Sequence, residues 1–284
     1  MLILVSSLGN LFADQISFQF EIINTRDGLS DNEITSVTND GRGFIWLGTK
    51  EGLNRYDGYE VTVYNSNPFD TTALSGNRIW DLYKDHDGDI WSLTDKSLDL
   101  YIYGVNHFKR YGTGSKPTFV TQDHDGVLWV ATESNGLFSI NKKSGEKRNY
   151  LFNPSDPYSI SSSNFDSKQF NPIVVDTSGN LWVGTLSGLN YYRKDKDFFQ
   201  RFMASESNLN TISNNRINTL LVKNNEIYIG TPSGLDKVNT SNFSINRLAR
   251  NQWFSPLNQY SVNKLLDFGV DKNMSGFWVA TTTG

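Results

Sequence analysis

Apolar and polar residues alternate along the chain in short runs, and turns rich in glycine and aspartate separate the runs. In residues 34–64 the runs predict four strands, at Ile34–Val37, Phe44–Gly48, Leu53–Tyr56 and Val61–Tyr64. The turns include Asp40-Gly-Arg-Gly43 and Asp57-Gly58. Their aspartates and glycines tolerate positive φ and hydrogen-bond the nearby backbone. This stretch is therefore predicted to form one unit of short strands.

The same unit occurs six times. Its anchor is an aromatic residue followed three positions later by threonine, with the aromatics at Trp46, Trp91, Trp129, Trp182, Tyr228 and Trp278. Their spacings of 45, 38, 53, 46 and 50 residues bracket the period of four-stranded propeller blades, roughly 40–50 residues. The chain is therefore predicted to be an all-β protein, a β-propeller of four-stranded blades. The repeat aromatics are expected to pack between adjacent blades, where a wide flat ring fills the gap.

The flanks of the anchor repeat in the same frame. The first four units carry an aspartate six residues before the aromatic, namely Asp40, Asp85, Asp123 and Asp176. Most units carry Gly-Leu after the threonine, and the second has Ser97-Leu98 instead. Upstream stands Leu-Ser-x-Asn or a related sequence, as in Leu29–Asn32 and Leu74–Asn77. So many matches in one frame do not arise by chance.

The two ends of the chain differ from the repeats. Residues 1–13 are apolar and end at Ala13, which predicts a shortened signal peptide ahead of a propeller over residues 14–284. A basic start is missing, since the first basic residue is Arg26, so an upstream start codon or an ordinary first strand are alternatives. Residues 18–24 resemble an outer strand that completes the last blade. The sixth unit stops at Gly284, which predicts a truncated blade in a larger ring, and a six-bladed ring that lacks one strand is the alternative.

Composition excludes several function classes. A net charge of −4 and a pI near 5.4 argue against nucleic-acid binding, which needs a basic face. With no cysteine, the chain has no disulfide, thiol nucleophile or thiolate metal site.

The unit Asp-x-x-Gly-x-φ-Trp-φ-Gly-Thr-x-x-Gly-Leu, where φ is apolar, closely resembles the two-component regulator propeller repeat. The most specific stretch runs from Gly28-Leu29-Ser30 to Asn54-Arg55-Tyr56-Asp57-Gly58. Departures are Tyr228 in place of tryptophan in the fifth unit and an insertion at Asp271–Gly276 in the sixth. The resemblance implies a seven-bladed ring, of which this chain is a fragment, in the periplasmic sensor region of a dimeric receptor anchored in the inner membrane. It also implies a histidine kinase or diguanylate cyclase output beyond this chain.

Catalytic motifs are missing from the sequence. Asp85-His-Asp-Gly-Asp89 and Asp123-His-Asp-Gly126 evoke calcium loops but lack the glutamate at position 12. The chain has three histidines, of which His86 and His124 stand in turns and His107 precedes an outer strand. We therefore expect no catalytic residue, metal site or cofactor in this fragment.

Propeller geometry predicts where a ligand binds. The loops after the Trp-x-x-Thr strands and the linkers between units share one face, and variable loops on a rigid scaffold are common binding sites. Candidate ligand-binding residues on this face are Asn77, Arg78, Trp80, Glu133, Asn215 and Arg216. The arginines suit carboxylate or sulfate groups, and Trp80 suits a sugar ring. The alternatives are turn hydrogen bonds for the asparagines, surface salt bridges for the arginines and interblade packing for Trp80.

Three functions remain open from the sequence. The first is a periplasmic sensor that recognises an oligosaccharide or a similar small molecule. The second is a standalone propeller enzyme of the lyase type, which requires a metal and a histidine in the channel. The third is a module whose loop face binds another protein.

Overall fold

In a computed structural model, the described residues are 2–8, 17–166, 169–248, 261–271 and 274–281. Ala13 and Gly284, the predicted cleavage site and the truncated end, lie outside them. The described residues form strands and turns, with a single 3-10 turn at Thr25–Asp27 among the named elements. The predicted all-β propeller fold is confirmed. Two compact units divide the chain, Met1–Lys116 and Pro117–Gly284.

The first unit contains one short sheet and two complete blades. The short sheet pairs β1 (Leu2–Leu8) with β2 (Ser17–Ile23). The first blade has the order β3 (Ile34–Asn39), β4 (Ile45–Thr49), β5 (Leu53–Tyr56) and β6 (Val61–Tyr64). The second blade has the order β7 (Ile79–Lys84), β8 (Ile90–Thr94), β9 (Ser97–Ile102) and β10 (His107–Gly112). The bounds predicted for β5 and β6 are confirmed, whereas β3 and β4 each end later than predicted.

The second unit contains three complete blades and a two-stranded sheet among the described residues. The third blade has β11 (Pro117–Gln122), β12 (Val127–Thr132), β13 (Leu137–Asn141) and β14 (Lys147–Tyr150). The fourth has β15 (Ile173–Val175), β16 (Leu181–Thr185), β17 (Gly188–Arg193) and β18 (Phe198–Phe202). The fifth has β19 (Thr219–Lys223), β20 (Glu226–Thr231), β21 (Gly234–Asn239) and β22 (Ile245–Arg247). The sixth repeat supplies β23 (Val262–Asp271) and β24 (Met274–Thr281).

Strand β2 forms where the sequence predicts an outer strand, but it has a different partner. It pairs antiparallel with β1, with Leu2 opposite Ile23 and Leu8 opposite Ser17. The expected pairing with the last blade is not what the structure shows. Residues 2–8 are a short, mostly apolar run that includes Ile3 and Val5, and such a run is also consistent with a strand.

Each Asp-x-x-Gly turn is joined to the tryptophan that follows it. The indole Nε1 donates to the aspartate Oδ2 in four blades: Trp46 to Asp40 at 3.0 Å, Trp91 to Asp85 at 2.9 Å, Trp129 to Asp123 at 2.9 Å and Trp182 to Asp176 at 3.1 Å. The other oxygen accepts from backbone N–H groups of the turn; Asp40 Oδ1, for instance, accepts from Arg42 and Phe44. The buried indole N–H is thereby satisfied, as burial requires.

Within each unit the repeat tryptophans pack between neighbouring blades, as predicted. Trp46 belongs to a buried cluster with Ile79 and Ile90 of the second blade. Trp129 packs with residues of the fourth blade and Trp182 with residues of the fifth. Each is at most 3% exposed. The motif glycine makes room for this contact, because a Cβ on Gly184 would lie 2.4 Å from Ile217 Cγ2 of the next blade.

The prediction is wrong for Trp278, which is 68% exposed. The described residues contain no sheet after β24 that could cover the indole. Tyr228 keeps the packing role in part, because its ring lies 4.5 Å from that of Phe277. Its hydroxyl donates to Glu226 instead of to a turn aspartate.

Candidate functional site

The linkers and the loops after the Trp-x-x-Thr strands meet at one end of each blade, as predicted. The serine of each Leu-Ser-type linker shares a hydrogen bond with the motif threonine at 2.7–3.0 Å, in the pairs Ser30–Thr49, Ser75–Thr94, Ser161–Thr185 and Ser213–Thr231. This end of a blade is called the linker end below. The opposite end carries the Asp-x-x-Gly turns and is called the turn end.

An asparagine or aspartate on the third strand also holds each of these linkers. The serine backbone N–H donates to Asn54, Asp99, Asn190 and Asp236 in blades one, two, four and five. All four acceptors are 0% exposed. Burial raises the pKa of Asp99 and of Asp236, and the hydrogen bonds from Ser75 and Ser213 only partly oppose this.

An arginine on the outer strand clamps three of the linkers. Arg110 donates to the carbonyls of Asp70, Ala73 and Leu74 at 2.8–2.9 Å. Arg201 and Arg247 make the same kind of contact with the linkers before their own blades. The sequence analysis missed this role. The signal was an arginine at the same register of β10, β18 and β22, facing Asp99, Asn190 and Asp236.

Two of the candidate binding residues, Asn77 and Asn215, shape the linkers. Asn77 Oδ1 accepts from the backbone N–H of Ser66, and Asn215 Oδ1 accepts from that of Ala204, both at 2.7 Å. These are the turn hydrogen bonds weighed as the alternative. Asn215 also lines a cavity of about 320 Å³ at the linker end, with Glu206 and Arg247. A direct role of either asparagine in binding stays a prediction.

Arg78 and Trp80 lie together in the first unit, and Lys116 joins them. The guanidinium carbon of Arg78 lies 4.0 Å from the centre of the Trp80 ring, and Lys116 Nζ lies 3.6 Å from it. Both contacts are cation–π interactions. Among the described residues no carboxylate lies within salt-bridge distance of Arg78 or Lys116. The sequence analysis missed Lys116, because Gly112–Lys116 was considered only as a failed phosphate loop.

Arg216 has a different environment in the second unit. Its guanidinium pairs with Asp166 at 2.9 Å and donates to Asn218 at 3.3 Å. This is the salt bridge weighed as the alternative, and the two side chains are 45% and 27% exposed. Glu133 is exposed on the loop after β12. Ligand binding by either residue stays a prediction.

The aspartates of the second turn form the described group that most resembles a cation site. Oxygens of Asp85, Asp87 and Asp89 lie within 4.8 Å of one another. Asp85, however, accepts from the backbone N–H groups of Asp87 and Asp89 and from the Trp91 indole. Asp89 pairs with Arg42 at 3.3 Å. These contacts are those of a capped turn, shared with the other blades.

The three histidines lie apart from any buried site. His86 and His124 are exposed in turns, and His107 is exposed at the start of the outer strand β10. This is where the sequence analysis expected them. No helix in the described part of the chain is long and apolar enough to cross a bilayer.

A family model described as the two-component regulator propeller matches residues 28–51 and 73–96. These segments run from the linker of the first and second blades to the loop after the Trp-x-x-Thr strand. The chain therefore contains two-component regulator propeller repeats, and the sequence-based recognition is confirmed. Histidine kinase P4 of Formosa agariphila is 36% identical over 66 residues, which are 23% of this chain and 5% of the kinase.

Solved structures share the fold. An extracellular domain assigned to a one-component system of B. thetaiotaomicron is 22% identical, with a TM-score of 0.59 over 95% of this chain and 38% of that one. Virginiamycin B lyase from Staphylococcus aureus is 15% identical, with a TM-score of 0.51 over 85% of this chain and 76% of the lyase. At these identities the likeness concerns the fold alone. The chain spans a minor part of both the kinase and the extracellular domain.

Proposed function

We propose that this chain is the ligand-sensing propeller region of a bacterial signal-transduction receptor, located in the periplasm. The propeller repeats at residues 28–51 and 73–96 support this, together with the kinase relative and the shared fold of an extracellular domain. Inner-membrane anchoring, homodimer formation and a histidine kinase or diguanylate cyclase output belong to the whole receptor. They are part of the same proposal.

The ligand is an anionic oligosaccharide or a similar anionic small molecule. The observation that carries this is the pair of cations, Arg78 and Lys116, placed over Trp80 without a described carboxylate partner. Two adjacent unpaired positive charges attract sulfate or carboxylate groups, and arginine binds such groups through two parallel hydrogen bonds. Arg216 contributes less because Asp166 already neutralises it. Stacking of Trp80 on a sugar ring stays a prediction, since cations already lie over its ring.

Calorimetric titration with a sulfated disaccharide and its unsulfated counterpart tests the proposal. The sulfated compound is expected to bind, and Arg78→Ala or Lys116→Ala should each weaken it roughly tenfold or more, as loss of a hydrogen bond to a charged group does. Lys147→Ala is the matched control, because it removes a cation lying 5.2 Å from the Phe138 ring elsewhere in the chain. Equal affinity for both disaccharides, or unchanged binding in Arg78→Ala plus Lys116→Ala, would contradict the anionic-ligand assignment.

The standalone enzyme is not favoured by any contact in the described residues. A lyase-type site needs a positioned histidine, and His86, His107 and His124 are all exposed on turns or an outer strand. The likeness to virginiamycin B lyase concerns the fold alone. Capture of a periplasmic protein by the linker end, with no affinity for either disaccharide, would instead favour the interaction module.

A further inference from the structure

A cleft of about 310 Å³ lies between the third and fourth blades, at the turn end. Its apolar wall includes Trp129, Tyr150 and Tyr192, and its polar lining includes the buried Asp123 and, at the rim, Asp197. The cleft is far from the linker end of these blades, because it is lined by the Asp-x-x-Gly turns and by the turns before the outer strands. None of the residues predicted from the sequence to bind a ligand lines it.

The first and second blades show what can fill such a space. Strand register places Arg55 opposite Trp46 and Ser139 opposite Trp129, so Arg55 and Ser139 are equivalent. Arg55 extends over the rings of Phe44, Trp46 and Tyr64 at 4.6–5.9 Å and donates to the Tyr101 hydroxyl at 2.9 Å. A planar cation, supplied by the chain itself, therefore occupies the gap between these two blades.

The third and fourth blades have side chains that are smaller or not aromatic at the equivalent positions. Val127 stands for Phe44, Ser139 for Arg55 and Lys194 for Tyr103, by their spacing from the repeat aromatics. The walls remain the same, with Trp129, Tyr150 and Tyr192 standing for Trp46, Tyr64 and Tyr101. The interface between the third and fourth blades thus has the same walls as that between the first and second blades, but it lacks the cation that Arg55 supplies there.

The fourth and fifth blades fill the same space in another way. Tyr191 stands opposite Trp182, in the position of Ser139. The ring of Phe243, which has a positive φ of 59°, lies 5.8 Å from that of Trp182 and 5.1 Å from that of Tyr191. Asp197, with φ 54°, occupies the position of Phe243 between the third and fourth blades. Three interfaces within the units are built on a repeat tryptophan, and among them the one between the third and fourth blades places a serine opposite its tryptophan.

In the cleft between the third and fourth blades, one carboxylate oxygen can accept a further hydrogen bond. Asp40 Oδ2 accepts from both the Trp46 indole and the Tyr103 hydroxyl, the latter at 2.8 Å. The equivalent Asp123 Oδ2 accepts from the Trp129 indole, and Lys194 pairs with Asp125 instead of replacing the Tyr103 hydroxyl. Asp123 is 6% exposed. A ligand N–H group can therefore take the second acceptor position of Asp123.

The charges of the cleft favour a cation over an anion. Three carboxylates line it, Asp123, Glu146 and Asp197, against two cations, Arg148 and Lys194. Arg148 is already paired with Glu146 at 2.9 Å and with Asp197 at 2.8 Å. The hydrogen bond from Tyr192, opposed by partial burial and aided by Tyr150 and Arg148, lowers the pKa of Asp197. Asp197 is therefore charged at neutral pH.

We propose that this cleft is a binding site for a small planar organic cation, such as an aryl amidinium or an alkyl guanidinium. The flat face of the cation packs on Trp129 and Tyr150 by cation–π contact, and its N–H groups donate to Asp123 and to the rim carboxylates. The site takes from solution the group that Arg55 supplies within the first pair of blades. It does not depend on the receptor role proposed above.

Isothermal titration with benzamidine tests the site, with capped arginine as the alkyl guanidinium probe and benzoate and benzyl alcohol as anionic and neutral comparators. Benzamidine is expected to bind at one site, at least tenfold more tightly than either comparator. Capped arginine decides between an aryl and an alkyl cation. Ser139→Arg, which copies Arg55, should reduce benzamidine binding at least tenfold by occupying the cleft.

Two further variants protect the test against misfolding. Lys194→Tyr copies Tyr103 from an exposed rim position, where the lysine side chain is 63% exposed, and should also weaken benzamidine binding. Asn246→Arg is the control, since it adds an exposed arginine on the outer strand of the fifth blade and should leave binding unchanged. Benzoate or benzyl alcohol binding as tightly as benzamidine would overturn the proposal. So would an absence of benzamidine binding, or full binding in folded Ser139→Arg and Lys194→Tyr.

Discussion

The first and second blades meet through a filled interface, whereas the third and fourth blades meet around a cleft. Both interfaces use the same frame, a buried tryptophan whose indole donates to an aspartate six residues earlier. They differ in the side chains around that frame. The filled interface has Phe44, Arg55 and Tyr103, and the open one has Val127, Ser139 and Lys194 at the equivalent positions. The comparison shows that the repeat motif sets the frame of an interface, while residues outside the motif decide whether it is solid or open.

The largest expected effect concerns the frame itself. Trp46→Ala should lower the free energy of unfolding by about 3–5 kcal/mol, the usual cost of removing a large buried aromatic side chain. Trp129→Ala should cost less, because Trp129 already borders open space and loses fewer contacts. Denaturant unfolding of both variants measures the difference. An equal loss would show that the cleft does not loosen the packing of Trp129.

Opening the filled interface comes next. Phe44→Val plus Arg55→Ser reproduces the third blade and should cost about 2 kcal/mol, since both side chains are only partly buried. The variant should also gain a second benzamidine site by calorimetry. Loss of stability without a second site would mean that the neighbouring side chains close the gap.

The buried aspartates of the linker end give a smaller effect of opposite sign. Asp99→Asn copies Asn54 and Asn190 and should stabilise the protein by about 1–2 kcal/mol at pH 8, because it removes a buried carboxylate. The folded-state pKa of Asp99 lies above its unfolded value of 3.8. Ionisation of Asp99 therefore destabilises the folded protein as the pH rises from 3.8 through the folded-state pKa.

Thermal unfolding at two pH values checks this prediction. The gain from Asp99→Asn should be large at pH 8 and should nearly vanish below the unfolded pKa of 3.8, where the carboxyl group is protonated in both states. Glu60→Gln at an exposed position is a control for the loss of one negative charge. A gain that is equal at both pH values would exclude ionisation as its cause.

The smallest effect tests the extra hydrogen bond of the filled interface. Tyr103→Phe should cost about 1 kcal/mol at pH 7, because it removes the hydroxyl that donates to Asp40. Although burial opposes ionisation, hydrogen bonds from Trp46, Tyr103 and the turn backbone lower the pKa of Asp40. This stabilisation is present above pH 3.8 and is lost as the pH falls through the folded-state pKa. A cost that persists after Asp40 is protonated would contradict this assignment.

The sequence predicts the blades well, because strands, turns and the repeat aromatic depend on local alternation and fixed spacing. It predicts the common end of the linkers and Trp-x-x-Thr loops for the same reason. The indole-to-aspartate bond was visible as a constant spacing of six residues, but its meaning required the turn geometry. Trp278 was misjudged because burial depends on a neighbouring sheet and not on the motif.

Binding residues were harder to predict than blades. Lys116 reaches Trp80 from a segment 36 positions later in the chain, and no spacing rule connects them. The cleft depends on Ser139 and Val127 being small relative to residues in other blades, which matters only once strand register identifies the equivalents. Such sites arise where small side chains leave a space unfilled or where charged side chains from distant segments meet. Neither feature produces a recognisable sequence motif.

The arginine clamps have a consequence for how the ligand surface proposed at the linker end can change. The clamps hold the linkers mainly through main-chain carbonyls, which accept from Arg110, Arg201 and Arg247. Most linker side chains therefore take no part in the clamp. Residues at the linker tips, such as the 98% exposed Phe69, are free to vary while the loop keeps its path. The binding surface proposed for the linker end can therefore be altered by point substitutions without redesign of the loops that carry it.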